Sequence, residues 1–229
     1  MSTLLLRLAA PMQAWGVDSK FDTRSTGREP SKSGVLGLLA AALGIRRDDS
    51  AALGRLAGLK FGVRVDREGQ YLHDFHMAHS ASTSYVTHRY YLSDAVFLCG
   101  LESENRELLE QYAYALTHPA YPLFLGRRSC PPTLPLVWGI RDEELMAALT
   151  EEPRLVSEPE EDSLRIVIDE DKDSRSAALI KDVPVSFSPY RREYTYRKYR
   201  EIILPGTPQT EHDPFALLEV DNGSDEDGT

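Results

Sequence analysis

Residues Thr26–Asp49 read TGREPSKSGVLGLLAAALGIRRDD, and this stretch decides how the N-terminal part of the chain folds. Basic and hydroxyl residues come first, and apolar residues then recur at helical spacing until Gly44, which predicts an amphipathic helix over Ser33–Leu43. Ser31 or Ser33 is the expected N-cap. Because a helix N-terminus beside basic residues attracts anions, a phosphate site is one interpretation. The alternative is an ordinary capped core helix, since the spaced glycines of a P-loop are absent.

The composition limits the possible classes of protein. The chain has 229 residues, enough for one large or two small domains with a buried core. Its two cysteines, Cys99 and Cys130, belong to no Cys/His ligand cluster, so we expect a reducing compartment and neither structural disulfide, bound metal nor cofactor. No apolar run approaches the roughly 20 residues that span a bilayer, which predicts a cytoplasmic protein without a membrane partner.

The net charge of −10 argues against general binding to nucleic acids. Basic residues are nevertheless clustered in short segments, which favours a local basic groove for one structured RNA, or a fixed place in a complex. These clusters are Arg24/Arg28/Lys32, Arg46/Arg47, Arg127/Arg128 and Arg191/Arg192/Arg197/Lys198/Arg200.

The order of predicted elements indicates an α+β fold with helices on one face of an antiparallel sheet. After a first strand and the helix described above, the residue pattern predicts a hairpin, a further strand, an amphipathic helix and a last strand. We interpret this order, βαβ…βαβ, as a ferredoxin-like (RRM-like) βαββαβ domain. The predicted elements are Ser2–Leu8, Ser33–Leu43, Lys60–Asp66 paired with Tyr71–Phe75, Ala95–Leu101, Asn105–Leu116 and Leu134–Ile140.

The composition changes near residue 150, where an acidic linker begins. Two apolar strands are predicted after it, over Leu164–Ile168 and Thr195–Leu204. We therefore expect a ferredoxin-like domain over residues 1–150, a small β-rich domain over 151–220 and a disordered acidic tail over 221–229.

The segment His76–Tyr91 (HMAHSASTSYVTHRYY) is polar and lacks the apolar stripe of a core element. It predicts an exposed extension, either a β-hairpin or a flexible arm. Its aromatic rings and Arg89 suit stacking on unpaired RNA bases, and the alternative is a contact surface for a protein partner. A metal site on its histidines is disfavoured, because no carboxylate pattern of a known site surrounds them.

Two further segments combine cations with rigid or aromatic residues. Phe124–Pro132 (FLGRRSCPP) predicts a rigid basic loop whose arginine forks suit phosphate or guanine edges, or else a surface turn whose arginines pair with carboxylates. In Pro189–Arg200 (PYRREYTYRKYR), interleaved Arg and Tyr fit RNA contact, or else an edge strand protected by its charge. The GxSxG and HExxH motifs of common hydrolases are absent.

Several of these segments resemble the CasD family of CRISPR-associated proteins, which belongs to the repeat-associated mysterious protein superfamily. The best matches are Leu6–Gly16 (LRLAAPMQAWG), Thr23–Leu39 (TRSTGREPSKSGVLGLL) and Tyr121–Pro131 (YPLFLGRRSCP). The resemblance covers residues 1–140 well and the C-terminal third only weakly.

Members of this family are subunits of the type I-E Cascade surveillance complex. The resemblance implies a ferredoxin-like fold with a thumb hairpin at about residues 76–91 and a small C-terminal domain. It also implies a non-catalytic RNA-binding subunit that caps the 5′ handle of the guide RNA in antiviral defence. The implied partners are the CRISPR RNA 5′ handle, the Cascade backbone and large subunits and, indirectly, target DNA.

The resemblance and the basic clusters indicate two sets of candidate contacts. The candidate RNA-binding residues are Arg24, Arg28, Lys32, Ser33, Gly34, Gly126, Arg127, Arg128, Ser129 and Arg192. The candidate thumb contacts are His76, Tyr85, His88, Arg89 and Tyr90.

An alternative function is a metal-independent endoribonuclease that processes precursor CRISPR RNA, as in a similar type I-C branch. Such an enzyme needs a His or Tyr base beside a Lys or Arg that stabilises the transition state. His118 precedes Pro119 and has no lysine neighbour in the sequence. We therefore expect no catalytic residues.

Overall fold

The computed structural model describes residues 1–16, 23–80, 82–157, 163–171, 173–188 and 190–205. The strands in these ranges are β1 (Ser2–Ala9), β2 (Met12–Gln13), β3 (Thr23–Arg24), β4 (Lys60–Arg67), β5 (Gln70–His79), β6 (Ser84–Ser93), β7 (Val96–Ser103), β8 (Val137–Arg141), β9 (Leu164–Asp169), β10 (Ala178–Phe187) and β11 (Arg192–Leu204). The helices are α1 (Lys32–Ala42), α2 (Ser50–Ala57), α3 (Arg106–Thr117) and α4 (Leu145–Glu151). Within these ranges, no helix is both long and apolar enough to cross a membrane.

β1 lies inside the main sheet, and its sequence explains why. Successive side chains of a strand point to opposite faces, and β1 has fully buried leucines on both, with Leu4, Leu6 and Leu8 on one face and Leu5 on the other. The strand must therefore be covered on both faces. Among the described residues, the sheet runs in the order β10-β11-β9-β4-β7-β1-β8, and its pairings are antiparallel.

Helices cover both faces of this sheet. Leucines of α1, α2 and α3 pack on the face that carries Leu6, whereas α4 packs on the face that carries Leu5. The expectation of helices on one face is therefore wrong. α4 fits closely because Gly62 and Gly100 are cross-strand partners in β4 and β7, and a Cβ atom at Gly62 would lie 2.9 Å from Leu149 Cδ1.

α1 (Lys32–Ala42) confirms the helix that the sequence predicts over Ser33–Leu43, with a shift of one residue. Ser31 is the N-cap, and its Oγ accepts a hydrogen bond of 3.2 Å from the backbone nitrogen of Gly34. Gly44 follows the C-terminus with a φ of +71°, a left-handed conformation that commonly ends a helix.

β5 and β6 form a long hairpin whose tip is exposed to solvent. Their register runs from Gln70 opposite Ser93 at the base to His79 opposite Ser84 at the tip. The extension predicted over residues 76–91 is therefore part of a longer hairpin, and Tyr91 near its base is buried rather than exposed. On its other edge, β6 pairs with β2 and β3, and these short strands form a second sheet with the hairpin.

The predicted pairing of Lys60–Asp66 with Tyr71–Phe75 is wrong. β4 pairs with β7 and β9 inside the main sheet, whereas β5 pairs with β6. Burial explains the difference, because residues 61–66 are buried and need a place inside a sheet, while β5 is almost entirely exposed.

The strands after residue 150 continue the main sheet. β9 pairs with β4, β11 pairs with β9, and β10 forms the edge. β9 and β11 confirm the predicted strands Leu164–Ile168 and Thr195–Leu204, but β10 is not predicted, since Pro184 interrupts its pattern; an edge strand tolerates proline. The domain boundary near residue 150 stays a prediction, and the expected tail over 221–229 lies outside the described residues.

Candidate nucleic-acid interface

The N-terminus of α1 is occupied by a carboxylate of the protein. The backbone nitrogen of Lys32 donates a hydrogen bond of 2.9 Å to Asp182 Oδ2, so a carboxylate occupies the position expected for a phosphate. The side chain of Lys32 is buried, and its ammonium group donates to Asp169 Oδ2 and to the Leu59 carbonyl oxygen, both at 2.7 Å. The expectation that Lys32 contacts RNA is therefore wrong, because its charge is already neutralised inside the fold.

A buried network of four charges holds this end of α1. Arg197 donates to the two oxygens of Asp182 at 2.7 and 2.9 Å, and to Asp169 Oδ1 at 2.8 Å. With Lys32, the network contains two cations and two carboxylates. Burial opposes the charge of Arg197, but its carboxylate partners outweigh burial and raise its pKa. The network therefore joins α1 to β9, β10 and β11.

The other residues expected near this helix end have local contacts. Arg28 lies on the surface and pairs with Glu68 at 2.7 Å, which raises the pKa of Arg28 and lowers that of Glu68. Gly34 donates its backbone N–H to the N-cap serine, and a Cβ atom there would lie 2.9 Å from Trp15 Cε3. Ser33 Oγ lies 3.5 Å from the Oγ of that serine. As contacts for RNA, Arg28, Ser33 and Gly34 stay predictions.

Five arginines meet elsewhere, around a surface pocket of about 420 Å³. They come from β3, the turn after α1, β6 and the loop of residues 124–130. No aspartate or glutamate is among the described residues that line the pocket, and none of the five side chains pairs with a described carboxylate. We call this site the arginine pocket; its lining residues are Arg24, Arg47, Arg89, Phe124, Gly126, Arg127, Arg128 and Ser129.

Backbone hydrogen bonds fix the loop of residues 124–130. The carbonyl oxygen of Leu125 accepts from the backbone nitrogen of Ala14 at 3.1 Å, and the nitrogen of Leu125 donates to the Cys130 carbonyl oxygen at 2.7 Å. Gly126 has a φ of +85°, and a Cβ atom at this position would collide with the carbonyl oxygen of Ala14. The structure therefore shows the closed loop that the sequence predicts, with a glycine where no other residue fits.

Arg127 joins three elements of the pocket. Its Cζ lies 4.6 Å from the ring centroid of Tyr91 in β6, a distance typical of cation–π contacts. Its Nη2 donates a hydrogen bond of 2.8 Å to the carbonyl oxygen of Arg24 in β3. Tyr91 is almost completely buried, which raises its pKa, but contact with Arg127 and its polar neighbours lowers it by more. The wall of the pocket is therefore both ordered and positive.

Two nitrogen atoms at the pocket are buried without a hydrogen-bond partner among the described residues. They are Arg89 Nε and Arg127 Nη1. A buried N–H group that lacks an acceptor costs about 1–3 kcal/mol, so such groups in native proteins call for an explanation. Both atoms are enclosed by the protein, so they belong to the wall of the pocket and are not open to its cavity.

Arg89 is the thumb candidate that the structure brings to the pocket. Alternate side chains of a strand point to opposite faces, so His88 and Tyr90 lie on the other face of the hairpin. There, His73 Nε2 lies 2.9 Å from His88 Nδ1, and the ring of His73 stacks on Tyr90 with centroids 4.7 Å apart. These rings form an aromatic face that is separate from the arginine pocket.

The remaining thumb candidates lie toward the tip of the hairpin and outside the pocket. Tyr85 is exposed, and His76 pairs with Asp74 at 2.9 Å. Among the described residues, no three His, Cys, Asp or Glu side chains converge as a possible metal site. Contact of His76 and Tyr85 with RNA or a partner subunit stays a prediction.

Comparison with known proteins decides the family. The family model described as "CRISPR-associated protein (Cas_Cas5)" matches residues 3–200, which include every arginine of the pocket. The chain belongs to the Cas5 family. It is 40% identical over 158 residues to the CRISPR system Cascade subunit CasD of Escherichia coli (strain K12), a match that covers 60% of this chain and 70% of that relative.

Two solved structures are similar to this Cas5-family chain. A chain of a CRISPR RNA-guided surveillance complex has a TM-score of 0.76 and 35% identity, over 89% of this chain and 90% of that one. A crystal structure of a Cas protein has a TM-score of 0.70 and 41% identity, over 89% of this chain and 95% of that one. These findings confirm the resemblance to CasD and the mixed α+β fold.

Two pocket residues of this Cas5-family protein, Arg47 and Phe124, are not among the contacts predicted from the sequence. The signal for Arg47 is present, because Arg46 and Arg47 form one of the basic clusters. Local sequence does not distinguish the two arginines. In the structure, Arg46 pairs with Asp48 at 3.2 Å, whereas Arg47 lines the pocket.

The basic and aromatic segment at residues 190–200 is mostly neutralised within the protein. Arg192 does not line the arginine pocket, and its contact with RNA stays a prediction. The interpretation of this segment as an edge strand is wrong, because β11 lies between β9 and β10. The neutralised cations are Arg191 with Glu193, Arg197 with Asp169 and Asp182, and Arg200 with Glu170. Lys198 donates a hydrogen bond to the Ser174 carbonyl oxygen.

Proposed function

We propose that this Cas5-family chain is an RNA-binding subunit of a Cascade-type CRISPR complex, and that its arginine pocket holds the 5′ handle of the CRISPR RNA. The observation that carries the proposal is the pocket itself, in which five arginines meet and no aspartate or glutamate is among the described lining residues, on a chain of net charge −10. The similarity to a Cascade subunit and to a chain of an RNA-guided surveillance complex supports it.

The distribution of charge suits contact with a bent or unstacked RNA segment. A guanidinium group pairs with a phosphate through two parallel N–H···O bonds, which provide both energy and geometry. The acidic remainder of the protein disfavours long polyanions that cannot enter the pocket. Phe124 adds a ring on which a splayed base can stack. The pocket therefore combines phosphate pairing with stacking.

We propose a ferredoxin-like scaffold behind this pocket. The strand order β8-β1-β7-β4, with α1 after β1 and α3 after β7, follows the βαββαβ arrangement. In an RRM, aromatic residues on the open face of the sheet stack on RNA bases, but here α4 covers that face. The RNA contacts therefore belong to loops and to the hairpin rather than to the sheet.

The rest of the molecule contacts the other subunits of the proposed complex. The hairpin of β5 and β6 is the thumb, and β9, β10 and β11 form the small C-terminal unit. The proposed partners are the Cascade backbone and large subunits, with target DNA reached indirectly through the guide RNA. The exposed aromatic face of the hairpin suits contact with a neighbouring subunit or with a displaced nucleotide.

Titration of the purified chain with a repeat-derived 5′ handle RNA at several salt concentrations tests the proposal. The slope of log K against log salt measures the number of neutralised phosphates. We expect loss of three pocket arginines to reduce the slope by about three and to lower affinity at every salt concentration. The test variant is Arg24→Ala/Arg47→Ala/Arg128→Ala.

A matched control removes the same charge outside the pocket. Its three arginines are solvent-exposed and each pairs with a carboxylate, so they are expected to contribute little to RNA binding. The control variant is Arg46→Ala/Arg106→Ala/Arg200→Ala. An equal loss of affinity in both variants would show that net charge, and not the pocket, drives the binding.

The proposed role is non-catalytic. The endoribonuclease alternative needs a base and a cation at one site, and His118 is instead stacked on Tyr114 at a centroid distance of 4.4 Å on the exposed end of α3. Incubation of the full chain with labelled repeat RNA in EDTA is expected to leave the RNA intact. Cleavage at one position would support the enzyme instead.

A further inference from the structure

Arg127 and Arg128 are neighbours in the sequence, but their surroundings differ. Arg127 is partly buried, and one of its terminal nitrogens is enclosed by protein. Arg128 is exposed and forms no hydrogen bond or ion pair with the described residues. Both line the arginine pocket. Two arginines of the same loop therefore present their charge in different ways.

The guanidinium group of Arg127 connects separate parts of the chain. It lies over the ring of Tyr91 at 4.6 Å, and it donates to the carbonyl oxygen of Arg24 at 2.8 Å. Arg24 in turn is paired with Arg89 in the parallel ladder between β3 and β6. Arg127 thus connects the short strand β3 to β6 beside two other pocket arginines, Arg24 and Arg89.

A strand of two residues gains stability from side-chain contacts such as this one. β3 contains only Thr23 and Arg24, and it pairs with β6 through His88 and Arg89. So short a ladder has few hydrogen bonds of its own, and strands of this length are marginal without side-chain support. The contact from Arg127 supports the position of Arg24 in the pocket, in addition to the hydrogen bonds that join residues 26 and 27 to Trp15.

We propose that the two arginines have different roles: Arg127 is a positioning residue that holds β3 and β6 together at the pocket, and Arg128 contacts an RNA phosphate. The second half of this assignment rests on the proposed RNA-binding function, whereas the first half does not. The roles need different chemistry. A planar guanidinium stacks flat on Tyr91 while an N–H group at its edge donates to a carbonyl oxygen, whereas a lysine ammonium is a point charge without this planar fork. A phosphate accepts either cation.

Lysine substitutions separate the two roles because they keep the charge. We expect Arg128→Lys to bind handle RNA within about threefold of the wild type with the same salt slope, since a point charge still pairs with phosphate. We expect Arg127→Lys to lose about tenfold in affinity although the net charge is unchanged, because the pocket loses the geometry of the fork. Arg128→Ala should lower the salt slope by about one.

Hydrogen exchange of the free protein tests the positioning role without RNA. In Arg127→Lys, the amides of β3 and of residues 88 and 89 in β6 are expected to exchange faster than in the wild type, while those of β1 and β7 are unchanged. In Arg128→Lys, both sets should exchange as in the wild type. Thermal melting of both variants checks that they fold, and Arg127→Ala serves as a second variant at the same position.

The outcomes distinguish two kinds of failure. Unchanged exchange at β3 in both Arg127 variants would overturn the positioning role, whatever the RNA data show. Equal loss of affinity in the two lysine variants would mean that both arginines bind phosphate through their forks, and it would also overturn the division of roles. Faster exchange in Arg127→Lys, together with wild-type RNA binding by Arg128→Ala and by the triple pocket variant, would keep the positioning role and contradict the proposed function.

Discussion

The carboxylate of Asp182 accepts a hydrogen bond of 2.9 Å from the backbone nitrogen of Lys32, although 150 residues separate them in the chain. This contact decides what the first turn of α1 can do. An anion from the protein already satisfies the helix N-terminus, and Arg197 neutralises that anion. The start of α1 is therefore a joint between the core and the C-terminal strands.

Substitution of Lys32 should affect stability rather than RNA binding. In Lys32→Met, Asp169 loses a buried cation partner, and removal of one member of a buried pair typically costs about 3–5 kcal/mol. Chemical denaturation measures the loss, and handle RNA affinity at a temperature where the variant is folded should equal that of the wild type. The control is Lys60→Met, whose partly exposed ammonium lies 3.9 Å from Glu102 and is expected to contribute about 0–1 kcal/mol. A variant of Lys32 that is stable but binds RNA poorly would contradict the buried network.

Arg47 and Arg46 form a matched pair for testing the pocket. Arg47 lines the pocket, whereas Arg46 is 80% exposed and pairs with Asp48. We expect Arg47→Ala to weaken handle RNA binding several-fold and to lower the salt slope by about one. Arg46→Ala should leave both values unchanged. A stronger effect of Arg46→Ala than of Arg47→Ala would place the RNA outside the arginine pocket.

Gly126→Ala should displace the basic loop. The new Cβ atom would collide with the Ala14 carbonyl oxygen, and alanine resists a φ of +85°, so a cost of about 1–3 kcal/mol in unfolding free energy is expected. RNA affinity should fall as well, because Arg127 and Arg128 move with the loop. Gly54→Ala is the control, since a Cβ atom in α2 meets nothing within 4 Å and a helical alanine is expected to stabilise by about 0.5–1 kcal/mol. Equal stability of the two variants would show that the loop is adaptable.

Hydrogen exchange along the hairpin should follow a gradient. Tyr91 and Leu92 at the base are buried, so their amides are expected to exchange slowly in the isolated chain, whereas those of residues 84–87 near the exposed tip should exchange fast. In an assembled complex, hydrogen exchange of the amides near the tip should slow several-fold. Deletion of residues 80–87 should leave a folded protein that binds free handle RNA but assembles poorly. Strong protection of the tip in the isolated chain would contradict its assignment as a thumb.

Elements with a local signal are predictable from the sequence. Ser31 and Asn105 each cap a helix with a side-chain oxygen, and the apolar spacing after each residue places α1 and α3 to within one residue of the structure. The glycine and the paired arginines of residues 126–128 likewise predict a closed basic loop. In these cases the interactions that determine the structure lie within a few positions of each other.

Features that depend on distant partners are not predictable in this way. Lys32 looks like a surface cation until Asp169 and Asp182 are folded against it, and nothing near Lys32 in the sequence indicates them. The same holds for β4, whose alternation fits a hairpin as well as an interior strand. The burial of its neighbours decides the pairing, and that burial is a property of the whole sheet.

Because the arginines of the pocket come from distant parts of the sequence, RNA binding depends on the folding of the chain. Its arginines lie between residues 24 and 128 and meet only when β3, β6 and the basic loop are in place, so an unfolded chain has no pocket. A ligand that binds the native state alone stabilises it by mass action, about 2.7 kcal/mol when its concentration is 100 times Kd. Under the proposed function, bound guide RNA therefore stabilises the folded state of this chain. A cell that lacks guides would hold this subunit at a lower stability, and its abundance would follow the supply of RNA.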